Sequence, residues 1–545
     1  MSNIDTTNNY NSENNSEKYK DQNYKSDQSI NNNLLNLYSE SNNNDSISLN
    51  PSANSFESKV INFGCRLNSS ESDIISYNLK KLNVDNVIVI NSCAVTKEAE
   101  RQVKQTIRSL YKNHPEAKIY ITGCASQTDK KFYENMPEVS GIIDNTKKLD
   151  INEYKKINNQ LFSEKLNDIT FNSKKIKNDI ELSENDIQSR KSFVFPDKSL
   201  EIFTLESKID KNWKDIYKNS FKGRGFVQIQ NGCNHRCTFC IIPYGRGPSR
   251  SLPMANIVSQ VKGLIDNGCG EIVFTGVDIT DYGIDLPGHP KLGQIVRRLL
   301  NLVPDIKRIR LSSIDVAEID EDILYLLANE KRFMPHLHIS LQAGDDIILK
   351  RMKRRHNRQQ IIDFCSHARI INPNIVFGAD IIAGFPTETD DMFENTRNLL
   401  QECNIIYCHI FPYSERPETP AARMPQIPYH VRKSRAKILR EDAKQRLLSY
   451  YNSQIGKTIS VVIEGNGMAR GENFGLIKIE NSNILPKKLD NISNIIENNK
   501  NKNQFNKNIK DNLINNLICG KIYNTIITGI DSYKSEYCMN GIILN

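Results

Sequence analysis

Residues 231–240 read Asn231-Gly232-Cys233-Asn234-His235-Arg236-Cys237-Thr238-Phe239-Cys240, a C-x3-C-x2-C array directly behind a strand-like run, Gly225 to Gln230. Three thiolates on one short loop can ligate three corners of a cubane iron–sulfur cluster and leave the fourth iron open. The competing reading is a zinc knuckle completed by His235, although common zinc signatures space their ligands differently. His235 itself reads as a loop residue rather than a ligand.

Downstream of the array, apolar runs at Ile272 to Phe274, Arg308 to Leu311, Leu337 to Leu341, Val376 to Ile381 and Ile405 to Phe411 alternate with helical stretches. This predicts a β/α barrel whose active face lies at the carboxyl ends of its strands. Thr275-Gly276, Ser312-Ser313, Gln342-Ala343-Gly344 and Gly384-Phe385-Pro386 stand at those ends. Glycine lets backbone approach a ligand, and Ser or Gln offers hydrogen bonds, but each is equally at home in a turn.

Upstream, Lys59 to Phe63, Asn86 to Asn91 and Lys118 to Thr122 read as strands, with helices from Glu71 to Leu82 and Lys97 to Lys112. That is a βαβαβ unit, and right-handed crossovers bring the carboxyl ends of its parallel strands to one edge. Each strand is followed by a cysteine: Cys65, Cys93 and Cys124. Any one of them can be a buried thiol, because free Cys packs as a small hydrophobe. Three at equivalent strand ends point instead to a [4Fe–4S] cluster with an open iron, or to zinc with one further ligand.

The 545 residues include 38% hydrophobic side chains, enough for several packed cores. Lys and Arg total 72 against 64 Asp and Glu, a net charge of +8 that permits a polyanionic partner without requiring one. No run approaches the ~20 apolar residues that span a bilayer, so no membrane association is expected. With no signal-like start, the 12 cysteines are expected to be reduced, in the cytoplasm, where such clusters hold metal or do redox chemistry. Asn- and Ser-rich composition marks residues 1–57 as a disordered tail, and 149–222 and 485–516 as a linker and an insert. The remaining segments are 58–148, 223–449 and 450–545. The last contains β-rich runs at Thr458 to Glu464, Phe474 to Ile479 and Lys521 to Ile527, as in a small closed barrel that binds oligonucleotides or merely caps a neighbour. The basic run from Lys350 to His356 is either a phosphate-binding surface or a solvated helix face.

The Cys233, Cys237 and Cys240 array, with aromatic Phe239 before the last cysteine, resembles the radical S-adenosylmethionine (SAM) enzymes. Cys65, Cys93 and Cys124, together with Ile241-Ile242-Pro243-Tyr244-Gly245-Arg246-Gly247 and Ser249-Arg250-Ser251, narrow the likeness to the methylthiotransferases. Phe63-Gly64-Cys65-Arg66-Leu67-Asn68, Asn91-Ser92-Cys93-Ala94-Val95-Thr96 and Thr275-Gly276-Val277-Asp278-Ile279 most resemble the MtaB subgroup. The resemblance implies an α/β protein with an N-terminal parallel-sheet domain, a central radical-SAM partial (β/α) barrel and a C-terminal TRAM-like β-barrel. It implies two [4Fe–4S] clusters, one per cysteine triad, with SAM beside Gly276, Ser313 and Gln342. The implied reaction adds a methylthio group to C2 of threonylcarbamoyladenosine beside the tRNA anticodon. An external low-potential donor, a flavodoxin or ferredoxin, is implied as well. Alternatives are methylthiolation of isopentenyladenosine in tRNA or of a ribosomal-protein aspartate, or a non-catalytic metal-dependent RNA-binding protein. Glu418 departs from the pattern, standing where relatives commonly have Gly. Cys269, Cys365 and Cys519 have no ligand spacing and are assigned to packing.

Overall fold

The computed structural model describes residues 56–171, 213–217, 223–480 and 518–544. The tail expected at 1–57 lies almost wholly outside them, as do the 485–516 insert and much of 149–222. Apart from Lys534–Glu536, the described residues belong to one compact unit.

The N-terminal sheet has the parallel order β1 (Lys59–Asn62), β2 (Val87–Ser92), β3 (Lys118–Gly123) and β4 (Gly141–Ile142). Every residue of β2 is buried, as a central parallel strand covered on both faces requires. Helix α1 (Arg66–Lys81) begins five residues before the apolar pattern suggests, because its first turns bury the polar residues Asn68, Ser70, Glu71 and Ser72. Helix α2 (Lys97–Asn113) starts where expected, its first turn capped by Thr96, whose hydroxyl accepts from Ala99 N at 3.1 Å. The short helix α3 (Cys124–Thr128) follows β3 directly. Within the stretch whose composition predicts a linker, a helix α4 (Ile151–Phe171) packs Tyr154 and Ile157 against Val87, Val89 and Tyr120. A second, α5 (Trp213–Tyr217), joins the central core through Trp213, Ile216 and Tyr217.

Six parallel β-segments build the central region after β5. The first sheet is β5 (Arg224–Gln228), β8 (Glu271–Thr275) and β9 (Ile309–Leu311). Between β5 and β8, the ribbon of β6 (Gln230–Asn231) and β7 (Arg250–Ser251) closes the loop that holds the cysteine array. Ser312 alone separates β9 from β10 (Ser313–Ile314), which leads a second sheet continued by β11 (His336–Gln342), β12 (Val376–Ala383) and β13 (Ile405–Pro412). Ile309 bridges the two sheets, donating to Arg332 O at 2.7 Å and accepting from Met334 N at 2.9 Å, so they form one partial barrel. Outward residues such as Val227, Phe274, Leu311, Ile339 and Phe377 share a core with Ile257, Val261, Leu299, Leu326 and Leu399 of the surrounding helices. Alternate positions face inward and are polar, among them Glu271, Arg310, His336, His338 and Asp380.

The C-terminal strands β14 (Thr458–Gly465), β15 (Met468–Gly471), β16 (Leu476–Ile479), β17 (Ile522–Tyr533) and β18 (Glu536–Ile543) close into a barrel ordered β14-β15-β16-β18-β17. It sits against the amino ends of the central strands. Arg310 donates from Nη2 to Gly471 O and Glu472 O, both at 3.1 Å, while its Nε meets the fully buried Glu271 at 2.7 Å. Phe474, at φ +71°, stacks on His336 with centroids 4.3 Å apart, and the guanidinium groups of Arg224, Arg310 and Arg470 lie 5.0–5.8 Å from its ring.

Candidate metal centres

The N-terminal cysteines follow three neighbouring strand ends. Cys65 caps α1 in extended conformation without a side-chain cap bond, Cys93 follows β2, and Cys124 opens α3. Pairing of Asn62 with Asn91 and of Ser92 with Gly123 fixes their relative positions. Gly64, at φ +103°, passes so close to Cys93 that a Cβ there would stand 2.8 Å from its Sγ. Cys93 and Cys124 are buried, Cys65 exposed. Burial, with Cys124 and Cys65 close by, pushes the Cys93 thiol up to about 12, so metal entry would have to displace its proton.

Polar side chains brace this edge. Asn68 donates to Phe63 O at 2.7 Å and Ser92 O at 3.1 Å, tying the ends of β1 and β2 together. Its Oδ1 accepts from Arg246, which also reaches Glu71 and Asn231. Lys148 meets Glu71 from the other side at 2.5 Å, and all three charged groups are buried. Burial opposes the charge on Glu71, yet Arg246 and Lys148 outweigh it and hold the carboxyl at about 2.

The second triad lies on the loop between β6 and β7. Cys233 N donates to Gly247 O at 3.1 Å and Thr238 N to Met352 O at 3.1 Å, anchoring both ends of the loop. Phe239 meets Phe385 edge to face at 6.4 Å. Burial pushes the Cys240 thiol up to about 12. His235 Nε2 lies 2.6 Å from Asp278 Oδ2 and 3.8 Å from Glu318. These two carboxylates raise its pKa to about 10, which disfavours the neutral imidazole that a metal ligand needs.

The two triads face one another. A Cβ on Gly245, in the short helix behind the second array, would stand 3.4 Å from the Cβ of Cys124, and Cys124 is close enough to Cys240 to influence its titration. All twelve cysteines are unpaired thiols. Among the described residues, the groups of three donors within 4.8 Å of one another are Cys233–His235–Asp278 and His338–Asp380–His409. The three thiolates of each triad match the donor set of a [4Fe–4S] cluster that keeps one iron open.

Gly276 follows β8, Ser313 opens β10 and Gln342 ends β11 at φ +70°, so all three stand on the carboxyl rim. Gln230, given no role by the sequence, binds this rim by accepting from Val277 N at 3.0 Å and Asp278 N at 2.9 Å.

Residues 57–144 match the Uncharacterized protein family UPF0004, and 227–400 match the Radical SAM superfamily. A Threonylcarbamoyladenosine tRNA methylthiotransferase MtaB of Rickettsia prowazekii is 49% identical over 78% of this chain and 92% of its own length. Another, from Aquifex aeolicus, is 32% identical over 76% of this chain and 95% of its own. The chain belongs to the MtaB family. A more distant relative, a tRNA-2-methylthio-N(6)-dimethylallyladenosine synthase of Staphylococcus haemolyticus, is 29% identical over 74% of each chain.

In this MtaB family member the arginines and His356 of the basic run from Lys350 to His356 do not form a free cationic face. Arg354 donates to Asp315 at 3.0 Å, to Ser340 O at 2.7 Å and to Cys237 Sγ at 3.7 Å. Arg355 pairs with Glu318 and Asp315, Arg351 with Thr387, and His356 is buried beside Asp315. The run therefore braces the second cysteine loop, a role invisible in the sequence because Asp315 and Glu318 lie about 40 residues away. Glu418 is exposed in the turn before Pro420–Arg423. No helix among the described residues is long and apolar enough to cross a membrane.

Proposed function

We propose that this protein transfers a methylthio group to C2 of N6-threonylcarbamoyladenosine beside the anticodon of tRNA. One observation carries the reading: two cysteine triads, one at the strand ends of the N-terminal sheet and one on the loop between β6 and β7, come together where Gly245 lies against Cys124. Cys65, Cys93 and Cys124 would hold one [4Fe–4S] cluster, and Cys233, Cys237 and Cys240 the other, each with one iron left for SAM or sulfur. When bound, these cofactors supply the one-electron cleavage of SAM and the sulfur that a protein side chain cannot deliver to an unactivated carbon.

The chain's own residues supply position. Arg354 steadies Cys237 from outside the loop. Gly276, Ser313 and Gln342 line the rim on which SAM would rest, where glycine admits close backbone approach and the two side chains offer hydrogen bonds. Arg246 and Glu71 fix the distance between the two triads. The C-terminal barrel is of a kind suited to single-stranded RNA, consistent with a tRNA partner. The same reading includes a flavodoxin or ferredoxin as electron donor and a cytoplasmic location.

The test is anaerobic reconstitution, expected to give about eight irons per chain and release of 5′-deoxyadenosine. Mass spectrometry of tRNA nucleosides from a deletion strain should show 2-methylthio-threonylcarbamoyladenosine disappearing. Its persistence with no second such enzyme present refutes the substrate, and loss of the isopentenyladenosine derivative instead would favour the alternative tRNA reaction.

A further inference from the structure

Three strands of the partial barrel carry a side-chain cluster with no part in holding the cysteines. His338 on β11 places Nε2 3.1 Å from Asp380 Oδ1 on β12, and His409 on β13 places Nδ1 3.2 Å from the same oxygen. The imidazole centroids are 4.9 Å apart. His338 is buried, whereas the His409 side chain is 53% exposed, so the cluster runs from the barrel wall to its open interior. Although burial disfavours its charge, the two histidines hold Asp380 well below the usual carboxylate range.

A cation approaches this wall from the N-terminal sheet. Arg66 is the residue after Cys65, and its guanidinium lies 5.3 Å from the ring of Phe474. That ring stacks on His336, two residues before His338 on the same strand. Burial pushes the pKa of both His336 and His338 down, with Arg66 among the charges that add to it. One guanidinium, on the residue after Cys65, thus approaches the strand that carries His338, whose partner Asp380 supplies a carboxylate. A divalent cation is a poorer occupant, because both imidazoles direct a nitrogen at one oxygen of Asp380 and Arg66 adds positive charge.

The substituent on N6 of threonylcarbamoyladenosine ends in a carboxylate and carries a hydroxyl and a ureido N–H, none of which a dimethylallyl group has. We propose that Arg66 and the His338–Asp380–His409 cluster form the subsite for this substituent: Arg66 pairs with its carboxylate, and Asp380 accepts from its hydroxyl or ureido N–H. A planar guanidinium suits a carboxylate, and a site built to pair a charge rejects the analogue that lacks it. The assignment rests on the function proposed above.

The experiment measures binding of labelled anticodon stem-loops by fluorescence anisotropy, and methylthio product by mass spectrometry, with the anaerobically reconstituted full chain. The RNAs carry threonylcarbamoyladenosine, its carboxamide analogue, or isopentenyladenosine. The wild type should bind the carboxylate RNA at least about tenfold tighter than the carboxamide RNA, as expected of a hydrogen bond between charged groups. Arg66→Gln should remove that difference by weakening only the carboxylate RNA, Arg66→Lys should keep part of it, and Asp380→Asn should weaken both threonine-bearing RNAs. Equal wild-type affinity for the two threonine-bearing RNAs overturns the subsite without any variant. Equal weakening of both by Arg66→Gln also overturns it, marking a phosphate contact. Mn(II) binding seen by electron paramagnetic resonance and lost in Asp380→Asn overturns it in favour of a cation site. Product on isopentenyladenosine RNA alone refutes the proposed function, whereas product on threonylcarbamoyladenosine RNA without carboxamide discrimination refutes the subsite only.

Discussion

Arg246 grips Glu71 with both terminal nitrogens, Nη1 to Oε1 at 2.9 Å and Nη2 to Oε2 at 3.2 Å, and so joins the helix behind Cys65 to the loop behind Cys240. The pair is buried, and Lys148 completes it from the far side. A buried charge deprived of its partner costs far more than the pair contributes. Arg246→Gln should therefore destabilise the chain by about 3–5 kcal/mol. Urea unfolding of the purified protein measures this, and a loss below 1 kcal/mol would show that the pair does not bind the two regions together.

Glu71 also sets an acid limit. Its folded pKa of about 2 lies below the ordinary value of 4.5, so the unfolded chain takes up the proton first. The stabilisation is complete above pH 4.5 and disappears as pH falls toward 2. It amounts to roughly 3 kcal/mol. The stability difference between wild type and Glu71→Gln should shrink steadily over that window, as followed by urea midpoints at stepped pH.

The two triads should be separable by substitution. Cys237→Ala is expected to retain about four irons per chain and lose SAM cleavage. Cys93→Ala should likewise retain about four irons, spare some cleavage and stop sulfur insertion. Iron analysis and 5′-deoxyadenosine release check both, and equal loss of cleavage in two folded variants would contradict the division.

Gly64→Ala tests the first triad without replacing a cysteine. The residue stands at φ +103°, and a methyl group there would meet Cys93 Sγ at 2.8 Å. The left-handed conformation alone costs an L-residue about 1–2 kcal/mol. The variant should fold yet lose about half its iron on reconstitution, leaving the four that a single cluster holds.

Phe474→Ala should loosen the C-terminal barrel. Its half-buried ring covers His336 and sits among Arg66, Arg224, Arg310 and Arg470. Truncation is expected to cost about 2–3 kcal/mol, less than a fully buried Phe. Faster hydrogen exchange confined to residues 458–479 would be the signature.

The parallel N-terminal sheet and the strands of the partial barrel were legible because each strand has a local signature, a short apolar run ending in a turn. What escaped depends on distant partners. Asn68 and Ser70 interrupt the apolar face of α1, so its start reads as Glu71, although Asn68 is buried by Arg246, 178 residues away. Tyr154 and Trp213 are packed residues in surroundings whose Asn and Lys content resembles a linker. The barrel strands Met468–Gly471 and Glu536–Ile543 are too short or too polar to announce themselves before they pair. The His338–Asp380–His409 cluster exists only because β11, β12 and β13 lie side by side.

Because Cys65, Cys93 and Cys124 each follow a strand of one parallel sheet, the ruler for the proposed metal pocket is the interval between neighbouring strands, about 4.8 Å. Crossover helices can lengthen and surface loops can swell without moving the sulfur atoms, whereas a slip of a single residue in β2 would scatter them. The chemistry is thus insulated from the kind of sequence expansion that this chain carries between its strands and at its periphery.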